Sequence, residues 1–261
     1  MTKLLEAVYK KDQEPRYQLD SIQQQYGYNS NPVNEQWELI NSNDAENIRI
    51  VASILDKYGW LGEKQISKTA NLTLFLVVQH ADIEYQVRYI DLLKKAVEKS
   101  NAKPTQYAYL LDRVNMRQGK LQIYGSQRSV STNGKSYFYP IKDVLNVNTL
   151  RKKIGLTPLT EVTLQPGLLY NMPAKKIAKN QVVITGFVIE KNQSPIDEVS
   201  IKFGAAIVAT TNADGFYIAI IEKKTLKEQL TFSKPGYILS DPPLNDEGKE
   251  VYELTILLSK K

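Results

Sequence analysis

The chain's most apolar stretch before its final third reads Leu72-Thr73-Leu74-Phe75-Leu76-Val77-Val78-Gln79-His80-Ala81-Asp82. It ends abruptly in a polar cluster that holds His80, the single histidine of the 261 residues. Ser67 is positioned to cap a helix that carries this run and stops near His80.

Upstream, residues 2–25 have apolar side chains at helical spacing, with Pro15 inside them, where it is expected to kink or divide the helix. Two further helices are predicted over 34–40 and 45–58, the second capped by Ser42 or Asn43 and stopped by Gly59. Trp60 follows and is expected to pack back on the core. Downstream, helices are predicted over 83–99 and from Pro104, a residue suited to a first helical turn. Then the pattern shortens. Lys120–Tyr124 and Ser136–Tyr139 read as strands of a hairpin around the turn signal Asn133-Gly134. Val147–Ile154 reads as a last short helix, ended by Gly155.

From Gln181 the apolar period becomes two. Strands are predicted at 182–190, 199–203, 207–211, 216–221, 229–233 and 252–258, with turns at 192–195, 212–215 and Pro235-Gly236. The expected fold class is therefore α+β with two domains. A mainly helical domain with a small β-hairpin occupies 1–165, a proline-containing linker 166–180, and an all-β sandwich 181–261.

Composition excludes several chemistries. The chain has no cysteine, so thiol nucleophiles, disulfides, Cys-zinc sites and Cys-held iron–sulfur clusters are ruled out. One histidine rules out a multi-His metal site. No phosphate-cradling glycine loop or EF-hand loop is present, and neither a cofactor nor a metal is implied. The net charge of +6 divides unevenly: 25 Lys and Arg against 17 Asp and Glu through Lys179, and 9 against 11 beyond it. No aromatic RNA-binding signature accompanies the basic part, whose densest cluster is Arg151-Lys152-Lys153, so it reads as a solvated face and not a nucleic-acid site. No apolar run is long enough to span a membrane, and no signal-peptide pattern precedes Asp12.

Two resemblances follow from motifs. Ile184-Thr185-Gly186-Phe187-Val188, Ser194-Pro195-Ile196, Thr210 through Phe216 and Lys234-Pro235-Gly236-Tyr237 resemble, in order, the carboxypeptidase regulatory-like family, a transthyretin-like sandwich. That resemblance implies a non-catalytic accessory module and points towards an exported bacterial protein, whereas the written N-terminus is compatible with a cytoplasmic one. Gly59-Trp60, Gln79-His80-Ala81-Asp82, Asp112-Arg113 and Tyr124-Gly125-Ser126-Gln127 resemble an uncharacterised bacterial family of unknown function over residues 1 to about 160. This chain departs from the family pattern at Leu61, where proline is usual, and at Ser126, where threonine is usual.

These motifs define the expected site. His80 is the candidate general acid/base; the alternative is a histidine bonded to the last carbonyls of its helix. Asp112 either orients His80 or joins Arg113 in a network holding two helices, and the structural role is favoured for Arg113. Ser126 is a nucleophile only if His80 reaches it; otherwise Ser126 and Gln127 bind a ligand or cap a turn. Gly125 lets backbone approach a ligand closely. Gln79 and Gln86 share a helical face if the helix continues past Ala81. Asp82, Tyr124 and Trp60 complete the binding set. The expected function is acid/base chemistry of hydrolytic type at this pocket, with a sandwich accessory domain. The alternative is a module that binds a polar ligand or protein partner without catalysis.

Overall fold

The computed structural model describes residues 1–130, 136–163, 168–169 and 172–261. The chain forms two compact units, Met1–Val114 and Asn115–Lys261.

The first unit is helical: α1 (Thr2–Tyr26), α2 (Asn31–Tyr58), α3 (Lys68–His80), α4 (Ile83–Glu98) and α5, which runs Pro104–Arg117. Leu5 O accepts from Thr73 Oγ1, and Asp12 meets His80, each pair 68 residues apart, so α1 and α3 run side by side in one direction. Ser67 caps α3 as expected, its Oγ accepting from Ala70 N at 3.2 Å while donating to Glu6 at 2.6 Å. Gly59 stops α2 at φ +68°, also as expected.

Two expectations fail here for one reason. Pro15 does not divide α1, and neither Ser42 nor Asn43 caps a helix, because α2 is continuous. Proline lacks the N–H that would bond Lys11 O. Asn43 Nδ2 donates to that carbonyl at 3.1 Å instead, and Gln36 Nε2 donates to Pro15 O at 2.7 Å. Side chains of α2 thus repair the ladder of α1 across the helix pair.

The second unit opens with β1 (Arg128–Val130), β2 (Ser136–Phe138), α6 (Val147–Lys153), α7 (Leu159–Val162) and β3 (Leu168–Leu169). β1 pairs antiparallel with β2, Ser129 opposite Tyr137. The first hairpin strand is therefore Arg128–Val130 and not Lys120–Tyr124. Gln122, in the latter segment, makes a single bridge to Ile141 and buries its amide. The turn signal Asn133-Gly134 lies outside the described residues.

The remaining strands, β4 (Gln181–Ile189), β5 (Ser200–Phe203), β6 (Ala206–Thr210), β7 (Phe216–Glu222), β8 (Leu230–Ser233) and β9 (Val251–Leu257), make two sheets, ordered β7-β4-β9 and β6-β5-β8. Their facing side chains, among them Val182, Ile184, Ile201, Phe203, Tyr217 and Phe232, form one sandwich core.

β4 is buried on both faces. Alternate residues face opposite sides of a strand, so Val182, Ile184 and Val188 fill the sandwich. Val183 packs with Leu121, Phe138, Tyr139 and Ile141, and Phe187 with Tyr137 and Phe216. The spatial division accordingly falls at Val114, whereas the sequence reading placed the hairpin and α6 with the helical domain and the linker at 166–180. A strand apolar on both faces needs cover on both, and residues 121–177 supply it.

Candidate functional site

His80 is the last residue of α3. Its Nδ1 lies 3.1 Å from Oδ1 and 3.2 Å from Oδ2 of Asp12 on α1. Its Nε2 has no partner among the described residues. Asp12 is 1% exposed. Arg16, one turn on, places Nη1 3.5 Å from Asp12 Oδ1, donates to Asp12 O, and makes a two-pronged pair with Asp44 of α2 at 2.6 and 2.8 Å. Asp12, Asp44, Arg16 and His80 thus form one network drawn from three helices.

The electrostatics follow from this geometry. Burial pushes the Asp12 carboxyl up, but the hydrogen bond and charge of His80, with the charge of Arg16, outweigh it and hold Asp12 below the ordinary carboxylate range. For Asp44 burial wins over Arg16 and pushes the carboxyl up. Asp12 stays charged and accepts from Nδ1–H, which leaves Nε2 as the ring nitrogen without a protein partner among the described residues. Each of Asp12, Asp44 and His80 also offers one atom of a set lying within 4.8 Å of one another, the donor set for a metal ion. Arg16 already compensates both carboxylates, and a cation would have to displace it.

The orienting carboxylate of His80 is Asp12, which sequence reasoning missed. A signal existed. The buried residues of α1 are Leu5, Val8, Asp12, Pro15 and Leu19, an alternating three-and-four spacing that places Asp12 on the inward stripe.

Other expected site residues fall as follows. The helix breaks at Ala81, so Gln79 and Gln86 do not share one continuous face. Gln86 instead folds back across the break, donating to Gln79 O at 2.8 Å and Ala81 O at 3.0 Å. The side-chain oxygens of Gln79 and Gln86 are buried acceptors with no protein partner among the described residues. Asp82 is exposed at the start of α4. Asp112 is fully buried on α5 beside half-buried Arg113.

Trp60 is apart from His80. Leu61 O is held by Asn71 Nδ2 at 2.7 Å, and Asn71 lies about 13 Å of helix rise from His80.

Tyr124, Gly125, Ser126 and Gln127 belong to the second unit and form a braced loop. Arg151 Nη1 donates to Tyr124 O at 2.7 Å and Gly125 O at 3.1 Å, and its Nε to Thr157 O at 2.6 Å. Gln122 Oε1 accepts from Gln127 N at 2.9 Å, while its Nε2 donates to Gln127 O. Gln127 Nε2 reaches Ser126 Oγ at 3.1 Å. Arg151 is thus buried, not part of a solvated face. Gly125, at φ +64°, is required by its backbone, and an added Cβ would lie 2.9 Å from Ile141 Cδ1, so it allows close core packing.

Fold and site together define a two-unit α+β protein whose helical unit carries a half-buried Asp–His–Arg–Asp network around the buried carboxylate of Asp12. Residues 2–170 match a family of unknown function, DUF6624, and the chain belongs to that family. No curated protein matches the chain. Among solved structures, a streptococcal ancillary pilin is similar over 40% of this chain and 39% of its own, with 14% identity and a TM-score of 0.24. Among the described residues, no helix is long and apolar enough to cross a membrane.

Proposed function

We propose that the helical unit carries an acid/base site in which His80 moves the proton and Asp12 orients its ring. The observation behind this reading is the 3.1 Å contact of Asp12 with Nδ1, combined with an Nε2 that has no protein partner among the described residues. A carboxylate on one ring nitrogen fixes the tautomer and leaves the other free to take a proton, the arrangement general-base hydrolysis uses. In this reading Gln79, Asp82, Gln86, Asp112 and Arg113 are the substrate-binding or bracing groups of the helical unit, and Tyr124–Gln127 form a separate braced loop of the second unit. Ser126 braces that loop, Trp60 stands outside the site, and the β-sandwich is a non-catalytic accessory module of the carboxypeptidase regulatory-like kind. The turn Asn212–Gly215 supports the last point: Asn212 Oδ1 accepts from Asp214 N and Phe216 N at 3.0 Å each, and Gly215 has φ +70°. The sandwich motif is thereby accounted for by turn geometry alone.

Because the chain has one histidine, nitrogen NMR reads this site directly. The neutral ring is expected to be protonated on Nδ1 in the wild type and to lose that preference in Asp12→Asn. Chromogenic ester, phosphate and glycoside panels then compare wild type with His80→Gln, which is expected to retain its fold and lose turnover. A ring protonated on Nε2 overturns the reading.

The alternative, a binding module without catalysis, is favoured by the buried acceptors of Gln79 and Gln86, which suit a donor-bearing ligand. Saturable ligand binding unaffected by His80→Gln would select it.

A further inference from the structure

At the other end of α3, two concavities of about 360 and 220 Å³ adjoin and share Lys99 and Asn101. Their walls are the loop after α2, the end of α4 and the turn leading into α5. Four ammonium groups line them, Lys64, Lys95, Lys99 and Lys103, against one carboxylate, Glu63. Among the described residues none of these four lysines has an ion-pair partner, unlike Lys11, which meets Glu46, and Lys234, which meets Asp197.

The walls are built in advance. Asn71, 3% exposed, donates to Leu61 O at 2.7 Å and to Asn101 O at 2.8 Å, tying one loop to the other. Asn101 Nδ2 donates back to Trp60 O at 3.3 Å. Gly62 is pressed against Asn101 so closely that a Cβ would stand 2.4 Å from its Oδ1. Trp60 lines the smaller concavity, and its buried indole N–H has no partner among the described residues.

We propose that this groove is a binding site for a compact oxyanion, the phosphate or diphosphate group of a small molecule. The ligand would be held by Lys95, Lys99 and the flanking Lys64 and Lys103, beside the ring of Trp60. Single exposed ammonium groups attract an anion weakly and salt screens them. Here Lys64, Lys99 and Lys103 line the larger of two adjoining preformed concavities and Lys95 and Lys99 the smaller, so their attractions add over one groove. The site is separate from that of His80, so failure of either proposal leaves the other standing.

Inorganic pyrophosphate is the probe, titrated into the full chain at fixed ionic strength. The variant Trp37→Phe leaves Trp60 as the sole tryptophan, so calorimetric heat and Trp60 emission can be followed together. Saturable binding is expected, weakened about tenfold or more in Lys95→Gln/Lys99→Gln. It should be unchanged in Lys94→Gln, an exposed neighbour on α4 that lines neither concavity. Circular dichroism checks that each variant is folded. Absence of both heat and emission change overturns the site. So does equal weakening by Lys94→Gln, which would reduce the effect to general charge attraction, or an undiminished affinity in the double variant.

Discussion

Helix α1 and strand β4 each bury a regularly spaced run of side chains, and they bury opposite chemistry. The inward stripe of α1 is Leu5, Val8, Asp12, Pro15 and Leu19. It includes a carboxylate and a proline, both of which a stable helix would reject; Arg16 of α1 itself and His80 of α3 compensate the charge, and Asn43 of α2 the lost backbone bond. The buried run of β4 is Val182 to Ile189, in which the only polar side chain is Thr185, satisfied by donating to Tyr217 O at 2.9 Å. Every feature of β4 serves packing. A helix that pays for a buried ion network does something packing does not need, which is why the candidate chemistry is placed in the helical unit.

The largest expected effect tests whether β4 needs cover on both faces. Residues 115–261 alone should unfold cooperatively with a β-type circular dichroism spectrum. Residues 181–261 alone lose Leu121, Tyr137, Phe138, Tyr139 and Ile141 from the outer face of β4. They should melt lower by several kcal/mol, on the scale of about 2–5 kcal/mol per large buried side chain removed. Equal melting temperatures for the two fragments would restore 166–180 as the structural boundary.

Next is Asp12→Ala. It leaves Arg16 and His80 without their buried carboxylate and should cost about 3 kcal/mol, read from urea melts. Thr185→Val in β4 should cost about 1 kcal/mol, a single neutral hydrogen bond. Similar costs would mean that the two buried runs are not different in kind.

The acid limb of stability distinguishes them further. The folded-state pKa of Asp12 is depressed, so its contribution is fully present above the unfolded value of about 4 and is lost as pH falls through the lower, folded one. Asp44 is raised, so its contribution has the opposite sign: present below the unfolded value and lost as pH rises through the folded one. Melts between pH 2 and 7 should therefore show a decline below about pH 4 that flattens in Asp12→Asn, while Asp44→Asn removes a weaker loss just above it. An acid limb identical in Asp12→Asn and wild type would show that the network contributes nothing.

The smallest effect should be Ser67→Ala, about 1 kcal/mol from loss of the cap on α3. It is expected to leave the His80 resonances in place, because the cap stabilises the start of α3 and the site lies at its end. A shifted His80 would couple the two ends of the helix and weaken the separation between fold and chemistry.

What the sequence determined by itself is everything set by near neighbours. The cap at Ser67, the stop at Gly59, the start at Pro104 and the existence of strands from Gln181 all depend on contacts within a few residues, and all stand in the structure. The apolar run Leu72–Val78 and its abrupt end at His80 are of the same kind. Tertiary structure decided what depends on partners far along the chain. Asn43 keeps α1 whole through Pro15 from 32 residues beyond the Lys11 carbonyl it caps. Asp12 meets His80 across 68 residues. Arg151, read as one of a basic trio, is drawn inward by the carbonyls of Tyr124 and Gly125. Each is a polar group whose burial is favourable only once a specific partner arrives, and hydrophobic periodicity, which reads local spacing, carries no record of that partner.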